Sequence, residues 1–190
     1  MNRLVIRFAP LAIALAVTGC ASVKLDVTGA TPTTVEKLRA ANLAPAQAGS
    51  FSLAPGKDPA MDTTLGGLRG STLAPAKGSW SQLLKDTLIV ELTSAGLYNP
   101  TSQSVIEGQL TDSKVDAAIG TGTARLAARF TVRNGGRLVY DKEIAADASW
   151  ESSFLGAVAL PAAINQYGAL YKTLVAKLID DPDFRRALAR

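Results

Sequence analysis

The chain has 190 residues, with 20 Lys+Arg against 16 Asp+Glu, one cysteine and no histidine. A formal charge of +4, with no basic stripe interleaved with aromatics, argues against nucleic-acid binding. Without histidine the commonest general base and metal ligand are missing, and one cysteine cannot make a disulfide within the chain. No cofactor is therefore expected.

The first element is the leader "MNRLVIRFAPLAIALAVTG". Arg3 and Arg7 precede an apolar run, Phe8 to Val17, and small residues then lead to Cys20. That is the layout of a secretory signal, and the run is too short to span a bilayer, which takes about 20 residues. Val17-Thr18-Gly19-Cys20 resembles the lipobox of bacterial lipoproteins. The resemblance implies cleavage between Gly19 and Cys20 and acylation of the Cys20 thiol and amino group. One acyl chain holds a protein only marginally, whereas two or more hold it stably. The membrane is thus an expected partner through the acyl chains. Ala21 after the cysteine, by resemblance to the enteric sorting rule, favours the outer membrane over the inner. Removal of residues 1–19 takes away two arginines and no acid, which lowers the charge to about +2.

Residues 20–48, rich in Ala, Thr and Pro, read as a flexible tether behind the acylated cysteine, with a short helical turn near Val35–Ala41. Residues 49–190 read as a single periplasmic domain. Phe51–Leu53 is a short strand, and 54–78, dense in Gly and Pro, is a long loop, functional or mobile. "SWSQLLKDTLIVELTSAGLY" is a helix with Ser79 or Ser81 as cap and Gly96 as its end. Ser104–Ala117 reads as a strand with Ile106, Gly108 and Leu110 on one side. "TARLAARFTVR" has period 2 with one face apolar, and 137–150 places Leu138, Tyr140, Ile144, Ala146, Ala148 and Trp150 on even positions.

Between these two strands lies Asn134-Gly135-Gly136. A two-residue turn would put even positions opposite odd ones and split the apolar sets between the faces. A three-residue loop would pair Phe130 with Tyr140 and Arg129 with Asp141, and it is the predicted connection. Lys142 then falls on the apolar face, where it must snorkel at an edge or meet a bulge. The last helix is predicted from Pro161 to Leu178, followed by a short one capped by Asp181 with Pro182 at its first position. The fold class is α+β: an antiparallel sheet of three to four strands with helices on one face, in the order β-α-β-β-β-α-α.

The segments "LLKDTLIVELTSAGLY", "SVIEGQLTDSKV", "ARFTVRNGGRLVYDKE" and "LVAKLIDDPDFRRAL" carry a resemblance to the YajG-type family of bacterial lipoproteins. More broadly they resemble the auxiliary lipoproteins of envelope ABC transporters. The resemblance covers residues 80–188 and implies a non-enzymatic periplasmic domain that works with other envelope proteins. A lipid- or hydrophobe-binding module is the alternative.

Chemistry-bearing motifs are few. "GGLRGST" (66–72) lacks the Lys-Ser/Thr lead into a helix that a phosphate loop needs, and "GTG" (120–122) precedes a strand. Ser81 and Lys85 could form a dyad, but at i, i+4 at the exposed start of a helix they read as solvated polar residues. Asp180, Asp181 and Asp183 read as capping acids. The run "FLGAVALPAAI" (154–164) has no polar side chain. It reads as a buried lead-in to the last helix or, alternatively, as an exposed patch for a partner protein or lipid, with Phe154, Leu155, Val158 and Leu160 in contact.

Overall fold

The computed structural model describes residues 22–190, so the predicted signal, Gly19 and Cys20 lie outside the described residues. Within them the order is β1 (Ser22–Leu25), α1 (Pro32–Ala40), β2 (Gln47–Leu53), β3 (Leu65–Leu68), β4 (Ser71–Pro75) and α2 (Trp80–Ala95). The second half holds β5 (Ser104–Asp116), β6 (Gly120–Asn134), β7 (Arg137–Ser152), α3 (Gly156–Asp180) and α4 (Pro182–Ala187). The class is α+β, with helices packed on sheets. One sheet has the order β2-β5-β6-β7 and a second has the order β1-β4-β3.

The capping residues act as the sequence suggests. Ser79 accepts a hydrogen bond from the Gln82 N–H, and Gly96 ends α2 at φ 77°. Asp181 Oδ1 accepts from the Asp183 and Phe184 N–H groups to open α4. Two faces of the large sheet then diverge. α2 packs over β2 and β5, and α3 over β6 and β7. There Ile106, Leu110, Leu126, Phe130 and Val132 meet Trp80, Leu84, Tyr167 and Leu174 in one core. The other face carries Arg125, Arg129 and Arg133, which pair with Asp147, Asp141 and Glu107.

Four expectations are corrected. First, the large sheet is not wholly antiparallel. β2 runs parallel to β5, which requires a crossover, and α2 lies in that connection. Second, residues 22–48 are no slack tether. β1 pairs with β4, and α1 buries Val35 and Leu38 against α2 and α3. Third, the predicted 54–78 loop contains a 3-10 turn at Pro59–Asp62 and the β3–β4 hairpin. Fourth, α3 starts at Gly156, not Pro161. Pro161 sits inside the helix, where its missing N–H removes only the bond to the Ala157 carbonyl.

The β6–β7 connection reaches the expected parity by another route. The turn has two residues, Gly135 (φ 55°) and Gly136 (φ 82°), and Asn134 pairs with Arg137. A bulge at Val139 then adds the residue that the loop lacks, so Val132 faces Tyr140 and Ala128 faces Ile144. Leu138, ahead of the bulge, turns outward and is 46% exposed, against the predicted inward placement. Phe130 lies opposite Lys142, not Tyr140, and Arg129 lies opposite Glu143 while still forking onto Asp141 at 2.5 and 2.6 Å. Lys142 snorkels along the edge strand to Asp181 at 3.1 Å and to Asp183.

Candidate functional site

The β3–β4 hairpin builds the most informative end of the molecule. Leu68 pairs with Ser71 across a two-residue turn, Arg69 (φ 50°) and Gly70 (φ 88°). This backbone is the left-handed pair that such hairpins favour. Gly67 (φ 80°) approaches β5 so closely that a Cβ there would overlap the Val115 carbonyl oxygen. That approach lets the Gly67 carbonyl accept the Ala117 N–H at 2.8 Å.

Held there, Arg69 reaches across two further connections. Its Nε donates to the Ala117 carbonyl at 2.6 Å, in the β5–β6 turn. Its Nη atoms donate to the Ser153 carbonyl at 2.6 Å, the Phe154 carbonyl at 3.0 Å and Ser152 Oγ at 3.2 Å, where β7 passes into α3. One guanidinium thus ties three chain segments together through charge-assisted bonds. The "GGLRGST" stretch is a hairpin with a clasp, and its arginine faces protein carbonyls rather than a phosphate.

With the polar backbone turned in, apolar side chains are left outside. Ile119 is 71% exposed, Phe154 73%, Leu155 53% and Val158 56%. Ile119, Phe154 and Val158 line one shallow hollow, and Leu160 beside them is half-buried. The run 154–164 divides along α3. Its first residues stand out in solvent and Ala159 and Ala163 go into the core, so the buried lead-in is overturned for Phe154, Leu155 and Val158, while Leu160 packs partly against the core.

The predicted exposed pair Ser81 and Lys85 takes a different form. Ser81 is 2% exposed, donates from Oγ to Asp62 Oδ2 at 2.9 Å, and its N–H bonds Asp62 Oδ1 at 2.7 Å. A hydroxyl spent on an anchored carboxylate in this way serves the packing of the 3-10 turn on α2. Nearby, Ser113, Tyr167 and Tyr171 share a chain of hydroxyl hydrogen bonds at 2.8 and 3.0 Å, with Trp80 edge-on to Tyr167. Burial pushes both tyrosines above the usual phenol range, so they remain neutral there. Among the described residues no group of three or more His, Cys, Asp or Glu is placed to hold a metal.

A cleft of about 250 Å³ lies between β1 and the helices, lined by Leu25, Val27, Leu83, Ile164 and Tyr171. That is below the roughly 300–1,000 Å³ of ordinary small-molecule sites.

The fold is similar to that of solved structures. A Xanthomonas campestris protein of the DUF330 family superposes with a TM-score of 0.54 at 13% identity, covering 84% of this chain and 95% of that one. A minor lipoprotein of Acinetobacter baumannii gives a TM-score of 0.49 at 13% identity, covering 77% and 96%. The likeness to the Xanthomonas protein is one of fold. No protein-family model matches the sequence, and no curated protein matches it. Among the described residues no helix is long and apolar enough to cross a membrane.

Sequence reasoning missed the Arg69 clasp. Its only trace was an arginine set between glycines, "GLRG", a pattern that also fits a loop without structure.

Proposed function

We propose that the chain is a lipid-anchored envelope protein, held in the outer membrane by an acylated Cys20, that acts without catalysis by binding other envelope proteins. One observation carries the reading: the lipobox-like Val17-Thr18-Gly19-Cys20 ends two residues before Ser22, the first residue of β1. β1, which begins at Ser22, pairs with β4, so ordered structure starts two residues after that cysteine. The charged face of the large sheet supports the rest of the reading, since its arginines and acids are laid out in rows and could re-pair with a partner's charges.

The test is in-cell crosslinking of the tagged full chain, read by mass spectrometry beside a Cys20→Ser version. Specific envelope proteins captured by the wild type and lost with Cys20→Ser support the proposal. Capture of none in either sinks the partner-binding half. Unchanged membrane association of Cys20→Ser sinks the anchor.

A further inference from the structure

The apolar end lies beside the point where the chain would enter the membrane. β1 and β4 are parallel, so Ser22 pairs with Thr72, next to the Arg69–Gly70 turn that grips Ser153 and Phe154. Distances along α3 and β1 fit that placement. Leu25 packs over Gly168, which is ~18 Å along α3 from Gly156. Ser22 stands three strand residues, ~10 Å, from Leu25, and its pairing with Thr72 turns it toward that same end.

We propose that Ile119, Phe154, Leu155 and Val158 form a crest that inserts into the lipid surface holding Cys20, as a second contact that fixes how the body stands on the membrane. The proposal rests on the anchored reading above. Its occupant is chosen by reach: from Cys20 to Ser22 the chain spans at most ~7 Å. So little slack keeps the crest at the surface, where amphipathic elements bury their apolar side ~5–10 Å deep. The crest side chains are uncharged, and Arg69 beneath them is turned onto backbone carbonyls. The opposite end of β6, at the Gly135–Gly136 turn, is ~45 Å away.

Because Cys20 is the one cysteine and its thiol is taken by lipid, Leu155→Cys gives the mature acylated protein a single reactive thiol. It is labelled with the fluorophore NBD and reconstituted in vesicles of phosphatidylethanolamine and phosphatidylglycerol at about three to one. Arg137→Cys, exposed at the far hairpin, is the reference, and Val158→Cys is a second crest position. The expected result is blue-shifted emission at Leu155 and Val158, with quenching by doxyl-labelled lipid several-fold stronger than at Arg137. Protein that floats with the vesicles while all three labels stay equally exposed to water overturns the crest contact and leaves the anchor standing. Failure to float, with an unacylated Cys20 in the mass spectrum, overturns the anchored reading and this one with it. Crest labels shielded in whole envelopes but not in vesicles mean that a protein covers the crest, and the lipid contact is overturned.

Discussion

The Arg69–Gly70 end of the small sheet and the Gly135–Gly136 end of the large one close with the same kind of turn and then diverge. Arg69–Gly70 and Gly135–Gly136 are both two-residue hairpins with positive φ at each position. At the first, the arginine is bent inward onto four acceptors and the outward side chains are apolar. At the second, Arg133 reaches one backbone carbonyl, that of Gly136 at 3.2 Å, and Glu107, while Asn134 and Arg137 are exposed and Lys142 pairs outward with Asp181 and Asp183. Turn geometry therefore does not decide what an end presents. What differs is how many of the polar groups are spent on the protein's own backbone: three carbonyls for Arg69 and one for Arg133.

The comparison breaks first at Gly67. Gly67→Val would force a branched side chain into a left-handed backbone and against the Val115 carbonyl. A loss of about 3 kcal/mol is expected in chemical denaturation, with the β3–β4 hairpin released from β5. Arg69→Ala should cost about 2 kcal/mol, since backbone carbonyls lose a charged donor. Hydrogen exchange should quicken at Ala117–Gly120 and Ser152–Leu155 and stay unchanged around Gly135. Equal quickening at both ends would mean that the clasp is not local.

Leu155→Asp sharpens the contrast without breaking it. The side chain is outside, so stability should hold within about 0.5 kcal/mol. Unfolding of that variant would restore the buried lead-in.

The smallest effect belongs to the polar side. The Arg129 hydrogen bond holds the Asp141 carboxyl below the usual carboxylate range. A lowered folded-state value means that its contribution is present at neutral pH and lost as pH falls through that value. Asp141→Asn should therefore cost about 0.5 kcal/mol at pH 7 and progressively less below about pH 4. The check is a pair of denaturation series run across that range.

The legible parts of the fold were those fixed by near neighbours. Ser79, Gly96, Asp181 and Pro182 each bound a helix through contacts within four residues, and all were readable. Parity along β6 and β7 was readable too, because burying one face demands it, although the Val139 bulge could not be told from a longer loop. The second sheet was not readable. β3 and β4 have four and five residues, one with two adjacent glycines, and their partners lie far off in sequence: Ser22 pairs with Thr72 and Gly67 meets Ala117. Phe154, Leu155 and Val158 were singled out in the sequence and Ile119 was not, and whether that run faces in or out is set by tertiary packing, which no local pattern contains.

One joint ties distant parts of the chain and sets an order in time. Leu43 bridges Ala189, the Ala44 N–H bonds the Leu188 carbonyl at 2.7 Å, and Arg190 Nε donates to the Leu43 carbonyl at 3.0 Å. Contacts that span so much sequence form late, because a long loop must close before they form. The segment around Leu43 is made early and waits for residue 188 and its neighbours to arrive. Until residues 188–190 pack there, the segment around Leu43 lacks these three contacts, so this joint closes only when two distant segments meet.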